Sequence, residues 1–164
     1  MALQAGGNVG LWPRRLAASF DRVITFEPDQ VSRACCQANV PANVDVRVEA
    51  LGAASGRCGV KHRGLGSHRI VDGAGIEMTT IDTLNLEVLD LLQLDIEGYE
   101  HHALMGGAET IARCRPMIQV ELRGFATKYG TTTNDTVQWL SDLGYRPVSS
   151  QPGSDVVFQW KAAA

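Results

Sequence analysis

A chain of 164 residues, 45% hydrophobic and 20% charged, can bury one core and has the balance of an ordinary globular domain. A net charge of −3 and a pI of about 5.8 leave no basic stripe for phosphate contacts, so nucleic acid is not expected as a partner. No apolar run reaches membrane-spanning length and no signal peptide precedes the first apolar segment, so no membrane partner is expected and the expected setting is cytoplasmic.

The elements follow in chain order. A short strand over about residues 2–5 leads into the loop Gly6-Gly7-Asn8-Val9-Gly10. A helix begins near Leu11, with Trp12, Leu16 and Phe20 on one face; Pro13 is tolerated because first-turn amides need no intrahelical acceptor. Val23-Ile24-Thr25-Phe26 reads as a buried strand ending at Glu27-Pro28. A helix from about Asp29 to Asn39 carries the stripe Val31, Ala34, Cys35 and Ala38, which is expected to face the core. Val44 to Val48 alternates as a third strand. Residues 51–75 read as irregular and glycine-rich, with room for a short hairpin.

Leu89 to Leu94 is a strand running into Asp95, followed by one helix containing Leu104, Ala108 and Ile111. Pro116 to Leu122 is another strand. Thr132 to Leu143 is a helix with Thr136, Leu140 and Leu143 inward and Gly144 as its stop. Tyr145 to Ser149 and Asp155 to Trp160 close the chain as two strands around Gln151-Pro152-Gly153-Ser154. Alternating strands and helices predict an α/β fold. The expected architecture is a mostly parallel seven-stranded sheet with a C-terminal antiparallel hairpin and helices on both faces. One domain is expected over residues 1–161, with 162–164 as a tag remnant.

Ligands of open parallel sheets bind beyond the carboxyl ends of the strands, near the point where strand order reverses. The tips here are the Gly6–Gly10 loop, Glu27, the Glu49-Ala50-Leu51 turn, Asp95-Ile96-Glu97-Gly98 and Glu121. Gly6 and Gly10 permit a tight turn and a close ligand, and the helix behind them presents free amides to a carboxylate. Glu27 is placed to accept hydrogen bonds from ribose hydroxyls. A dinucleotide fingerprint wants glycine at first, third and sixth positions, and Gly6, Asn8 and Leu11 supply only the first, so nicotinamide chemistry is disfavoured. Cys35, Cys36, Cys58 and Cys114 form no Cys-x-x-Cys pair, so no metal site is expected and reduced thiols are the default.

Asp95-Ile96-Glu97-Gly98-Tyr99-Glu100 resembles the stretch that follows the fourth strand in FkbM-type methyltransferases. The segments Leu104-Met105-Gly106-Gly107-Ala108, Arg115-Pro116 and Val120-Glu121 resemble that family's succeeding motifs in order. Upstream, Phe26-Glu27-Pro28, Asn39, Ala50-Leu51-Gly52, Gly66-Ser67 and Thr80-Ile81-Asp82-Thr83-Leu84 look like its further signatures. The resemblance covers about residues 4–122. It implies a Rossmann-like class I methyltransferase fold and S-adenosylmethionine as donor, leaving S-adenosylhomocysteine as product. It also implies a small-molecule acceptor, usually a hydroxyl on a sugar or other small natural product.

On that resemblance Gln4, Gly6, Gly7, Asn8, Gly10, Glu27, Pro28, Ala50, Leu51 and Asp95 bind the donor. Asp95 is the first choice as base or acceptor-orienting group, with Glu97 next and Glu121 from the neighbouring strand. His101 and His102 read as solvated helix residues, while His62 and His68 lie in the segment expected to cover the substrate. Gln4 departs from the family, which has an acid there; glutamine supplies no charge. The chain also starts almost on its first strand, where the family usually has further sequence, so a substrate-covering element would be missing. A donor-binding module without catalysis is therefore one alternative reading; a methyltransferase acting on a macromolecule, which the acidic pI disfavours, is another. Nothing in the sequence fixes an oligomeric state.

Overall fold

The computed structural model describes residues 1–62, 68–150 and 155–161; the side chains of His62 and Ser150 are also outside the description. The order of elements begins β1 (Ala2–Ala5), α1 (Leu11–Ala17), β2 (Val23–Phe26), α2 (Gln30–Asn39) and β3 (Val44–Arg47). It continues with β4 (Ala50–Leu51), β5 (Gly56–His62), β6 (His68–Thr79) and β7 (Leu91–Leu94). It ends with α3 (Glu100–Met105), α4 (Ala108–Cys114), β8 (Met117–Glu121), α5 (Thr133–Asp142), β9 (Tyr145–Ser150) and β10 (Asp155–Trp160).

The main sheet has the order β3-β2-β1-β7-β8-β10-β9, with only β10 running against its neighbours. Strand order reverses between β1 and β7, so their carboxyl ends frame the crevice expected of such sheets. Strand residues alternate between two faces. Leu3, Ala5, Ile24, Phe26, Leu92, Leu94, Ile118 and Val120 join Leu104, Ile111 and Leu140 from α3, α4 and α5 in the larger core. Ala2 and Val23 pack with Leu16 of α1 on the other face.

Four expectations are corrected. The stripe on α2 faces outward: Val31, Ala34, Cys35 and Ala38 are exposed, while Ser32 and Cys36 are buried. Small residues leave the apolar arc narrow, and the α2 face toward β1 and β2 must accommodate Cys36 beneath the glycine loop. The described residues of 51–75 are largely strand, in the hairpin for which that segment had room, while the Gly66-Ser67 motif lies outside the described residues. These strands contribute most of a second sheet, β4-β6-β5, whose long hairpin shifts register between Cys58 and Gly59. The glycines that obscured the strand pattern sit at that shift, where Gly59 and Gly73 approach backbone to backbone. The single helix after Asp95 is two, α3 and α4, parted by Gly106 and Gly107. His101 is buried, its ring nitrogen within 3.3 Å of the Thr136 hydroxyl, and His102 stacks on Tyr99.

The break between α3 and α4 ties the second sheet to the first. A β-carbon on Gly106 would lie 2.0 Å from the Gly52 carbonyl oxygen, just after β4. Asp82 completes the junction: its backbone amide donates to the Gly106 carbonyl, and its carboxylate accepts from the amides of Glu109 and Thr110. Gly106→Ala is expected to lower stability by about 1–3 kcal/mol, because backbone rather than a flexible side chain must give way. Thermal unfolding should show a drop of about 2–4 °C per kcal/mol; an unchanged midpoint would contradict the contact.

Candidate functional site

A cavity of about 210 Å³ opens at the strand tips. Ala5, Gly6 and Asn8 line it from the first loop, Phe26, Glu27 and Pro28 from the end of β2, and Ala50 and Leu51 from β4. Asp95, Ile96 and Glu97 enter from the end of β7, and Glu121 and Arg123 from the end of β8. Val60, His68, Arg69 and Ile70 complete it from the hairpin of the second sheet.

The first loop is fixed before any ligand enters. Gly6 has φ +89°, and a β-carbon there would lie 1.9 Å from the Asp95 carbonyl oxygen, so no other residue fits. The amides of Gly6 and Gly7 both donate to the Phe26 carbonyl. Glu27 is buried, and its two carboxylate oxygens accept the amides of Asn8 at 2.7 Å and Asp29 at 2.9 Å. Burial pushes its pKa up, opposed by those two amides. Asn39 reaches from the end of α2 to donate to the Val9 carbonyl.

The fourth corner is acidic. The Glu121 carboxyl is buried and pushed up to about 8, first by burial and then by the charge of Asp95. Burial also raises Asp95. Arg123 Nε donates to Glu121 Oε1 at 3.0 Å, while Oε2 is buried with no donor. Burial and the neighbouring charge raise both carboxyls of this pair, and two carboxyls that share a pocket do not both ionise freely. Glu97 has φ 61°, a left-handed conformation costly for a residue with a side chain. The turn is held by Glu100, whose Oε1 accepts the amides of Ile96 at 2.9 Å and Gly98 at 3.0 Å. Glu100 is itself buried and raised to about 7 by that burial.

Gly6, Asn8, Glu27, Pro28, Ala50, Leu51, Asp95, Glu97 and Glu121 therefore meet around one cavity. Gly7 and Gly10 shape the loop without lining it: a β-carbon on Gly7 would strike Thr25 and Glu27, and one on Gly10 would crowd Cys36. Gln4 is corrected. It points to the opposite face of the sheet, fully buried, with its carbonyl oxygen bonded to the Thr25 hydroxyl and its amide to the Ala5 carbonyl at 3.0 Å. Strand alternation puts Ala5, not Gln4, on the cavity side. Sequence reasoning missed Arg69, Ile70, Val60 and Arg123. The first three lie in the segment read as irregular, and Arg123 lies just past the last motif.

The family model described as the methyltransferase FkbM domain matches residues 4–147. The chain belongs to the FkbM methyltransferase family. Among solved structures, the FkbM methyltransferase of Methylobacillus flagellatus KT is similar at TM-score 0.65 and 19% identity, over 97% of this chain and 43% of that one. The chain thus spans less than half of that FkbM protein. Magnesium protoporphyrin IX methyltransferase from Synechocystis PCC 6803, solved with bound S-adenosylhomocysteine, is similar at TM-score 0.58 and 11% identity, over 98% of this chain and 74% of that one. A fibrillarin/Nop5p complex gives TM-score 0.58 at 12% identity, over 98% and 71%. At such identities the likeness establishes the fold alone. No curated protein matches the chain. Among the described residues, no helix of this FkbM domain is long and apolar enough to cross a membrane.

The raised carboxyl predicts a pH dependence. The Glu121 pKa is about 8 in the folded chain against 4.5 ordinarily, so the folded state favours the protonated form. Stability from this group is fully present below 4.5 and is lost as pH rises through about 8. Each pH unit within the window costs up to about 1.4 kcal/mol. Glu121→Gln, whose amide stays neutral, should flatten that loss. Parallel pH profiles of thermal unfolding for variant and wild type would contradict the assignment.

Proposed function

We propose that this FkbM domain transfers the methyl group of S-adenosylmethionine to a hydroxyl of a small molecule, such as a sugar. The observation that carries the reading is the Asp95–Glu121 carboxyl pair on a cavity whose other side is the glycine loop. The donor fits this cavity: Gly6 has no side chain to fill the cradle, and the acids Asp95, Glu97 and Glu121 line one side of it, which suits a ligand that bears positive charge. When bound, the donor supplies an electrophilic methyl on a cationic sulfur.

Glu27 and the loop beside it hold the ribose; each oxygen of Glu27 already takes one amide and retains a lone pair for a hydroxyl. Ala50, Leu51 and Pro28 form the apolar wall for the base. Asp95 takes the proton from the acceptor hydroxyl as its oxygen attacks the methyl carbon, and the bonding pair of the broken carbon–sulfur bond stays on sulfur. Glu97 orients the acceptor, and Glu121 keeps its proton and holds Asp95 in place. Much of the rate enhancement is positioning, since the donor is already activated. On this reading residues 1–161 act as one methyltransferase domain in a cytoplasmic setting. Because Gln4 lies off the cavity, its lack of charge gives no support to a donor-binding module without turnover.

Calorimetry with S-adenosylmethionine and S-adenosylhomocysteine tests the donor; absence of binding to both would sink the reading. Asp95→Asn should retain donor affinity within a few-fold and lose about 10²- to 10⁴-fold in turnover on an accepted hydroxyl substrate. Turnover at the wild-type level in that variant removes Asp95 as base. Glu27→Gln keeps the side-chain shape and should weaken the donor by about tenfold or more, the cost of one charged hydrogen bond. Unchanged affinity would remove the ribose assignment.

A further inference from the structure

A second groove, of about 640 Å³, adjoins the donor cavity: Arg69 and Ile70 line both. Its aromatic wall begins at Tyr99, on the same turn of chain as Asp95 and Glu97. Tyr99 and His102 lie parallel with ring centres 4.5 Å apart and planes within 8°. Tyr129 meets Tyr99 edge-on at 4.8 Å and 79°. Rings braced in this way form a fixed aromatic wall against which another ring can pack.

The groove is also cationic. Arg57, Arg69 and Lys128 line the groove against one carboxylate, Asp72. On a chain of net charge −3 this is a local reversal of sign. Arg57 Nε donates to the Ala74 carbonyl at 2.6 Å, and its Nη1 lies 3.8 Å from an exposed Glu77. Lys128 lies over the Phe125 ring at 4.1 Å. Among the described residues neither Lys128 nor Arg69 has an ion-pair partner. The Arg69 Nε atom is buried with no acceptor, and so is His102 Nδ1 with no partner. A guanidinium never loses its charge, and a buried N–H of such a group is costly to leave unpaired. The groove therefore offers a donor array to an oxyanion, next to a surface for a ring, one residue from the donor cavity.

We infer that this groove is the acceptor pocket and takes a ring-bearing hydroxyl compound that also carries a phosphate or carboxylate. The ring lies on Tyr99, His102 and Tyr129, and the anion is met by Arg69, Lys128 and Arg57. The assignment rests on the methyl-transfer reading and narrows its substrate class from any hydroxyl to an anionic one.

The test uses the full chain saturated with S-adenosylhomocysteine and three matched probes: glucose, glucose 6-phosphate and glucuronate. Binding is read by ligand-observed NMR. Both anionic probes should bind at least about tenfold more tightly than glucose, a preference that shrinks as salt is raised. A tighter glucose 6-phosphate than glucuronate assigns the groove to phosphate, and the reverse to carboxylate. Lys128→Glu and Arg57→Glu, neither of which lines the donor cavity, should abolish the preference and leave S-adenosylhomocysteine affinity unchanged. Intact S-adenosylhomocysteine binding with equal or absent binding of the three probes overturns the groove assignment alone, as does a preference that survives both variants. Failure of S-adenosylhomocysteine to bind the wild-type chain overturns the methyl-transfer reading, and the acceptor assignment with it.

Discussion

The tips of β1 and β7 touch backbone to backbone, and the site depends on that contact. The Asp95 amide donates to the Ala5 carbonyl at 3.1 Å, and the Asp95 carbonyl presses on Gly6 so closely that no β-carbon fits between them. One consequence is distance: the acids after β7 are brought against the glycine loop after β1. Another is rigidity. The Glu27 carboxylate ties the same loop to the start of α2 by accepting two backbone amides, so three strand tips are braced together. Glu27 belongs to both the frame and the site: its carboxylate holds the loop and lines the cavity.

The acids are then placed where burial changes what they do. Asp95 and Glu121 cannot both ionise cheaply when they share one pocket. Glu100 beneath them spends its charge on two amides of the turn that carries Glu97. The result is an arrangement in which one carboxyl holds the backbone of the turn and two others share the pocket that opens on the cavity. Composition hides this. A modestly acidic chain gives no hint that four of its carboxylates line one cavity and three of its cations the groove beside it.

The parts of the fold legible in the sequence were those with a strong local pattern. The strands at 2–5 and 23–26 are short runs bounded by glycine or proline, and the helix from Thr133 opens with a capping box from Thr132 and Asp135. The strand-tip rule then brought nine of the expected site residues to one cavity, because acids and glycines at strand ends are visible in one dimension. The second sheet was not legible. Its strands are half-exposed, interrupted by glycines and shifted in register, so neither alternation nor an apolar run survives in the sequence. Gln4 was misplaced for a simpler reason: its neighbours in a motif suggested a role, but the pleat turns its side chain to the far face. Asp82 shows the converse. A residue in a family motif proves to cap a helix, holding α4 rather than a ligand.

The hairpin of β5 and β6 forms the roof of the donor cavity, yet its pairing is almost wholly internal. Ala50 and Leu51 are the residues of β4 that join it to anything else in register. Most of its side chains are exposed or half-exposed, so lifting it uncovers little apolar surface. The free energy of opening the roof is therefore set apart from the free energy of unfolding the core. Such a molecule can exchange its ligands through a local event while the main sheet stays closed, and its resistance to heat says little about how often its site is open.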